Sequence, residues 1–204
     1  MVAIGKERNR RLDVSRFVNS LVSGYEYRGQ AVHTEAIPAR EASYGQVDPP
    51  IAPALRGALG RIGISSLYTH QAEAVQLARE GRDIVVVTST ASGKTLCYNI
   101  PVIETLMRDP KTAALYVFPT KALAQDQQRG LARIRELEPL LPVRSGTYDG
   151  DTPDSTRRQL REQANVILTN PDMLHQGILP SHPSWRRFFA GLRYVVIDVI
   201  HAYR

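Results

Sequence analysis

The feature that most constrains the fold is an apolar run, DIVVVT at residues 83–88, which leads into the turn-forming segment STASGKT and then into a helix-like sequence. A short apolar run bounded by turn residues is typical of a strand buried on both faces. Further strand-like runs occur at residues 113–118, 165–169 and 193–198, and helix-like segments separate them. This alternation predicts an α/β fold, with a mostly parallel sheet and helices on both faces.

The first quarter of the chain has a different character. Its segment RLDVSRFVNSLV has loosely helical apolar spacing, and a proline-containing stretch with little periodicity follows. We therefore predict a lead-in segment over residues 1–50 and one main domain over residues 51–204. The lead-in is expected either to lie on the main domain or to form a partly disordered tail.

The composition indicates which partners and which cellular compartment to expect. The formal net charge of +6 and the pI of about 9.7 favour a polyanionic partner such as nucleic acid, although a solvated basic surface is the alternative. Cys97 is the one cysteine, so neither an internal disulfide nor a cysteine-based metal cluster can form, which fits a reducing, cytoplasmic setting. The sequence shows neither a secretory leader nor an apolar run approaching the ~18 residues of a membrane span.

The segment STASGKT has the residues of a phosphate-binding loop. A tight turn after a strand aims backbone N–H groups at a β-phosphate, and the positive end of the next helix adds to the attraction. In such a loop Gly93 permits close approach, Lys94 reaches the β- and γ-phosphates and Thr95 binds Mg²⁺. The pattern G-x-x-x-x-G-K-[ST] is incomplete because Thr88 stands at its first glycine, so a chance Gly-Lys-Thr remains the alternative. The predicted nucleotide-binding residues of the loop are Thr90, Ala91, Ser92, Gly93, Lys94 and Thr95.

Two residues outside the loop support the same chemistry. Asp198 ends the apolar run at residues 193–198, where its carboxylate could meet the magnesium ion held by the loop. Gln71 lies at the start of a predicted helix, and its side-chain amide could read an adenine edge because it offers both donors and an acceptor.

These segments, in this order, resemble the first RecA-like domain of superfamily 2 helicases of the DEAD/DEAH-box class. The similarity is closest to a branch of DNA helicases with a cysteine-rich C-terminal domain, and it covers roughly residues 36–204. The resemblance implies a RecA-like P-loop NTPase domain of an ATP-dependent helicase, with ATP and Mg²⁺ as cofactors. It also implies single-stranded or duplex nucleic acid as partner, with DNA and DNA repair suggested only by analogy.

The resemblance assigns roles to single residues. Gln71 stands at the adenine-recognising glutamine of the Q motif, and STASGKT stands at motif I. Asp198 and His201 fall in motif II, where the aspartate orders magnesium and the histidine couples the nucleotide site to a second lobe. Lys94, Asp198 and His201 are therefore the predicted catalytic residues.

Three further segments resemble nucleic-acid contacts of the family. PTKALAQDQ is similar to motif Ia, through Thr120 and Lys121, and TNPDMLH to motif Ib, through Thr169 and Asn170. YDGDT, residues 148–152, resembles a further segment that follows the nucleic-acid strand. Such contacts bind phosphates rather than bases, which implies sequence-independent, salt-sensitive binding. The arginines at positions 129 and 133 are either further phosphate contacts or solvent-facing helix charges.

Motif II departs from the family pattern Asp-Glu-x-His, because Val199 replaces the glutamate that activates water. Losing a general base costs about 10²–10⁴ in rate. The sequence also ends shortly after His201, before a second lobe whose arginine is worth about 10³–10⁵ in rate. We therefore expect residues 1–204 alone neither to unwind duplexes nor to hydrolyse ATP usefully. An ATP-gated nucleic-acid clamp without catalysis is the alternative, and an unrelated P-loop kinase or transporter ATPase is a third.

Overall fold

The computed structural model describes residues 13–33, 35, 41–89 and 92–199, and the chain divides into two compact units, residues 1–41 and 42–204. Residues 42–50, which the sequence places in the lead-in, thus belong to the second unit. None of the helices in the described part of the chain has the length and apolar character needed to cross a bilayer.

The first unit contains one described helix, α1 (Val14–Val22). It begins at the cap residue Asp13, whose Oδ1 accepts a hydrogen bond from the backbone N–H of Arg16 at 3.0 Å. The predicted helical spacing of this segment is therefore confirmed. Most of its apolar side chains, including Phe17 and Leu21, are exposed.

A four-stranded parallel sheet forms the centre of the second unit, in the order β4-β5-β3-β6. A separate antiparallel pair joins β1 to β2. The prediction of a mostly parallel sheet is therefore confirmed. The strands are β1 (Tyr44–Gly45), β2 (Leu67–Tyr68), β3 (Ala113–Val117), β4 (Ser145–Thr147), β5 (Val166–Thr169) and β6 (Leu192–Ile197).

The helices follow the predicted segments closely. Pro101 lies within α4 without dividing it, although the sequence suggested a kink or a break, and the Thr105 hydroxyl donates to the Pro101 carbonyl at 2.9 Å. A π-helix and a 3₁₀ helix complete the region between β5 and β6. The helices of this unit are α2 (Pro53–Arg61), α3 (Thr69–Arg79), α4 (Thr95–Arg108), α5 (Lys121–Leu137), α6 (Asp154–Gln163), α7 (Pro171–Met173) and α8 (Arg186–Ala190).

Alternating side chains of β3 pack into two cores. Tyr116 lies on one face with α2, α3, α4 and α5, in the core that includes Ile103 and Leu131. Leu115 lies on the other face with Trp185 from the segment before α8. Because successive side chains of a strand point to opposite faces, both faces of this central strand are covered, which confirms the helices on both faces.

The run at residues 83–88 is not a strand, so that part of the sequence prediction is wrong. Val85 and Val87 are 83% and 86% exposed, and no strand in the described ranges pairs with this segment. An apolar run forms a buried strand only when a neighbouring strand satisfies its backbone groups. Among the described residues β6 pairs only with β3, at the edge of the sheet, and Val195 and Ile197 are exposed.

A buried ion pair fixes α3 against α4. The Arg79 guanidinium donates to both carboxylate oxygens of Glu104, at 2.9 and 2.7 Å, and both side chains are largely buried. Arg79 also donates to the Pro49 carbonyl. This bidentate pair joins the end of α3 to the C-terminal half of α4.

Candidate nucleotide and nucleic-acid site

Three of the predicted site residues lie at or just after the carboxyl ends of neighbouring parallel strands. Thr120 follows β3, Thr169 ends β5 and Asp198 follows β6. Backbone hydrogen bonds join these ends, from Asp198 N–H to the Val117 carbonyl at 3.0 Å and from Phe118 N–H to the Thr169 carbonyl at 2.9 Å. The carboxyl edge of a parallel sheet is where α/β proteins bind ligands.

The Lys94 side chain forms hydrogen bonds within the phosphate loop itself. Its ammonium donates to the carbonyl oxygens of Ser89 at 2.8 Å and Thr88 at 3.2 Å. The hydroxyls of Thr88 and Ser92 lie 2.5 Å apart and join the two sides of the loop. A bound phosphate would replace these carbonyls as the acceptor for the ammonium. Thr90 and Ala91 lie outside the described residues, so their assignment stays a prediction.

Gln71 is only 2% exposed and links the start of α3 to the phosphate loop. Its Oε1 accepts from the Tyr68 backbone N–H at 2.9 Å, and its Nε2 donates to the Gly93 carbonyl at 2.9 Å. Gly93 has a φ of +76°, and a Cβ there would lie 2.5 Å from Gln71 Nε2. The position therefore requires glycine twice, for its backbone conformation and for this close approach. The amide keeps one N–H and one lone pair unused in these bonds.

Thr95 and Asp198 supply the oxygen atoms expected of a magnesium site. Both act on Tyr98: burial raises the pKa of this phenol well above its usual value, the Thr95 hydrogen bond lowers it and the Asp198 charge raises it. The two candidate ligands therefore lie near one ring. The described residues contain no group of three or more His, Cys, Asp and Glu that could hold a metal. A hydroxyl and a carboxylate suit Mg²⁺, which takes its other oxygens from water and phosphates.

Val199 has a strained backbone, with a φ of 54°. A β-branched residue in the left-handed region is an outlier, because its side chain crowds the following carbonyl. The Val199 N–H donates to Asp198 Oδ1 at 3.0 Å, which orients the carboxylate. His201 lies outside the described residues, so its coupling role remains a prediction.

An aromatic column, formed by Tyr44, Tyr68 and His70, lies beside the loop and was missed in the sequence. The ring of Tyr68 stacks on Tyr44 at 5.4 Å and on His70 at 5.9 Å between centroids. The column reaches the loop because His70 Nε2 lies 3.1 Å from the Ser92 carbonyl. Tyr44 and Tyr68 are partly exposed. In the sequence, the aromatic residue three positions before Gln71 could have indicated this column. The β1–β2 pairing that brings Tyr44 to it leaves no periodic pattern in the sequence.

The predicted nucleic-acid contacts divide into helix caps, a buried residue and an exposed, ion-paired lysine. Thr120 Oγ1 accepts from Leu123 N–H at 3.3 Å, and Asn170 Oδ1 accepts from Met173 N–H at 2.8 Å. Thr169 is 1% exposed and donates to a backbone carbonyl. Lys121 is exposed, and its ammonium lies 2.7 Å from an oxygen of Asp151. The predicted contacts at Arg129 and Arg133 fall on exposed positions of α5, and Arg129 pairs with an aspartate on its own helix.

A cavity of about 420 Å³ lies elsewhere in the second unit, between α5, β4 and α6. Its lining includes Gln128, Arg144 and Leu160 but none of the predicted site residues. The chemistry of the phosphate loop and Asp198, rather than cavity size, therefore identifies the candidate site.

Comparison with known proteins decides the family. The sequence matches the DEAD/DEAH box helicase family over residues 68–204. The chain belongs to this family. Among its helicase relatives, the ATP-dependent helicase YprA of Bacillus subtilis is 44% identical over 187 residues, which cover 92% of this chain and 25% of YprA. The ATP-dependent helicase hrq1 of Schizosaccharomyces pombe is 42% identical over 196 residues, covering 93% of this chain and 18% of hrq1.

A solved helicase structure has the same fold. The crystal structure of the DUF1998 helicase MrfA bound to DNA and AMPPNP superposes with a TM-score of 0.78 and 47% identity, over 82% of this chain and 24% of MrfA. The chain thus spans about a quarter or less of the length of these helicases. The expected RecA-like helicase fold is confirmed, and the unrelated kinase or transporter alternative is wrong.

Proposed function

We propose that this chain is the nucleotide-binding lobe of an ATP-dependent DNA helicase. The proposal is supported by the loop that holds Lys94, which requires glycine at Gly93 and is held by Gln71, and by Asp198 at the end of β6, which acts on the same tyrosine as Thr95. The named relatives hrq1 and YprA are ATP-dependent helicases, and MrfA binds DNA and AMPPNP, which supports the same assignment.

Mg·ATP is the ligand that these residues fit. Lys94 exchanges the Ser89 carbonyl for the β- and γ-phosphate oxygens, and Thr95 and Asp198 hold the metal. The ion neutralises phosphate charge when it is bound. Gln71 reads the adenine edge with its remaining N–H and lone pair, and the aromatic column of Tyr44, Tyr68 and His70 gives the base an apolar wall.

The nucleic-acid backbone lies across the carboxyl edge of the sheet. The starts of α5 and α7, capped by Thr120 and Asn170, present backbone N–H groups, and Lys121 adds a positive charge. Helix starts and cations bind phosphates without reading bases. Thr169 contributes through its backbone and through the position it gives Asn170.

A second candidate function is a nucleotide-gated clamp that holds nucleic acid without hydrolysing ATP. Val199 favours it, because a valine side chain can neither accept a proton nor orient water. Val199→Glu in the full-length protein separates the two functions. A gain of about 10²-fold or more in ATP turnover supports the helicase with an impaired base, whereas no gain supports the clamp.

Binding of single-stranded DNA tests the proposed function. Fluorescence anisotropy of two labelled oligonucleotides of different sequence, at several salt concentrations and with or without Mg·AMPPNP, gives the affinities. We expect equal affinities for the two sequences, and a log Kd that rises linearly with log salt. Binding that is confined to one sequence, or that is insensitive to salt, would contradict phosphate recognition.

A further inference from the structure

Lys121, the cation among the predicted nucleic-acid contacts, forms an ion pair with the acidic side chain of Asp151. Lys121 begins α5, and its Nζ donates to Asp151 Oδ2 at 2.7 Å. The side chains of Lys121 and Asp151 are 45% and 77% exposed, so solvent and ligands can reach both. The hydrogen bond to Asp151 raises the pKa of Lys121, which keeps this ammonium charged.

The turn that carries Asp151 is held in place by its own hydrogen bonds. The Asp151 N–H donates to Asp149 Oδ1 at 2.9 Å, and the Thr152 hydroxyl donates to the same oxygen at 3.0 Å. Arg157 donates to the carbonyls of Asp149 at 3.0 Å and Thr152 at 2.8 Å, and it lies over the Tyr148 ring at 5.5 Å. The carboxylate of Asp151 is therefore presented to Lys121 from a fixed backbone.

A carboxylate in this position competes with a phosphate. Both groups offer anionic oxygens to an ammonium at similar distances, and two anions on one cation repel each other. Exposed ion pairs contribute little free energy, so a nucleic-acid phosphate can displace Asp151 rather than being excluded by it. The displaced carboxylate then lies beside the phosphate and takes up a counterion from solution.

We propose that Asp151 is an internal phosphate mimic that sets the affinity of this edge for nucleic acid by competing for Lys121. The inference rests on the proposed function, since it takes Lys121 as a phosphate contact. Asp151 lowers affinity and weakens its salt dependence, because its uptake of a counterion offsets part of the counterion release that phosphate binding causes. A bound phosphate therefore dissociates from Lys121 more readily than it would if Asp151 did not compete for the ammonium.

The test compares Asp151→Asn with wild type by anisotropy of a labelled oligothymidylate across a salt series. We expect binding to tighten about two- to five-fold, which is the range of an exposed ion pair. The slope of log affinity against log salt should steepen by up to about 0.7. Asp151→Ser provides a second variant, since the backbone N–H bond to Asp149 does not depend on the side chain.

Two further variants assign the effect to Lys121. In the Lys121→Ala background, Asp151→Asn should change affinity little, because the contested cation is absent. Glu162→Gln is the matched control: Glu162 also forms an exposed ion pair, with Arg158 at 2.9 Å on α6, and its loss changes the net charge equally. We expect that control to leave affinity within about 1.5-fold of wild type.

Several outcomes would overturn the inference. These are unchanged or weaker binding by both Asp151 variants, tightening that persists without Lys121, or equal tightening by Glu162→Gln. Absence of oligonucleotide binding by the wild type would instead contradict the proposed function itself, and the inference with it. Urea unfolding of each variant verifies that the fold is retained.

Discussion

Substitution of Gln71 can distinguish two roles of its side chain, holding the phosphate loop and recognising adenine. Replacing it with alanine leaves the Tyr68 N–H and the Gly93 carbonyl without their side-chain partners. An unsatisfied buried backbone group costs about 1–3 kcal/mol. The Gly93 carbonyl keeps its bond from the Leu96 N–H at 3.1 Å, so the Tyr68 N–H is the group that loses its partner, and we expect the free energy of unfolding to fall by about 1–3 kcal/mol.

The same substitution should weaken triphosphate binding. Gln71 holds the Gly93 carbonyl, so without it the loop loses a hydrogen bond worth about 1 kcal/mol, and tripolyphosphate affinity should fall about five- to tenfold. ATP should lose more than tripolyphosphate, because the adenine contact is lost as well. Isothermal calorimetry measures the affinities for tripolyphosphate and ATP, and urea unfolding measures the free energy of unfolding.

The control is Gln76→Ala on the same helix. Gln76 accepts one long hydrogen bond, from Asp48 N–H at 3.4 Å, so its loss should cost less than about 1 kcal/mol and leave both ligands unaffected. If Gln71→Ala kept tripolyphosphate affinity and stability at wild-type values while ATP affinity fell, the amide would serve adenine alone and the loop-holding role would be refuted.

Three further predictions concern stability. Glu104→Ala strands the buried Arg79 guanidinium and should cost about 3–5 kcal/mol in urea unfolding, and a loss below about 1 kcal/mol would contradict a dry ion pair. Val199→Asn should raise stability by about 1 kcal/mol, since asparagine tolerates a φ of 54° better than valine, and a decrease would argue against backbone strain. Burial raises the pKa of Cys97 from 9.0 to about 11, so the neutral thiol is favoured in the folded state. Its contribution to stability is complete below pH 9.0 and declines as pH rises towards 11. Iodoacetamide should therefore alkylate native Cys97 far more slowly than the urea-unfolded chain at pH 8, and equal rates would contradict the shift.

The periodic parts of the fold were readable from the sequence. The apolar run of β3 and the helical spacing of α3 and α5 each carry a local signal, and the structure places those elements where the patterns predict them. The run at residues 83–88 has an equally clear local signal and is nevertheless exposed. Strand formation there depends on a neighbouring strand, which a local pattern does not report.

The site could be predicted only in part. Lys94 and Asp198 follow from motif spacing, because a phosphate loop and a strand-end carboxylate have recognisable neighbours in the chain. The interior position of Gln71, the stacked Tyr44 and the Lys121–Asp151 ion pair are tertiary contacts between distant segments. Such contacts depend on how the elements pack, so a single sequence contains no periodic trace of them.

Calorimetric titration of Mg·ATP into the wild-type chain and into Lys94→Ala shows whether this loop binds a triphosphate. We expect saturable one-to-one binding by the wild type, a loss of about tenfold or more in affinity on removing the Lys94 ammonium, and weaker binding when Mg²⁺ is chelated. The absence of heat with the folded wild type, or equal affinity of the two proteins, would contradict a triphosphate site at this loop.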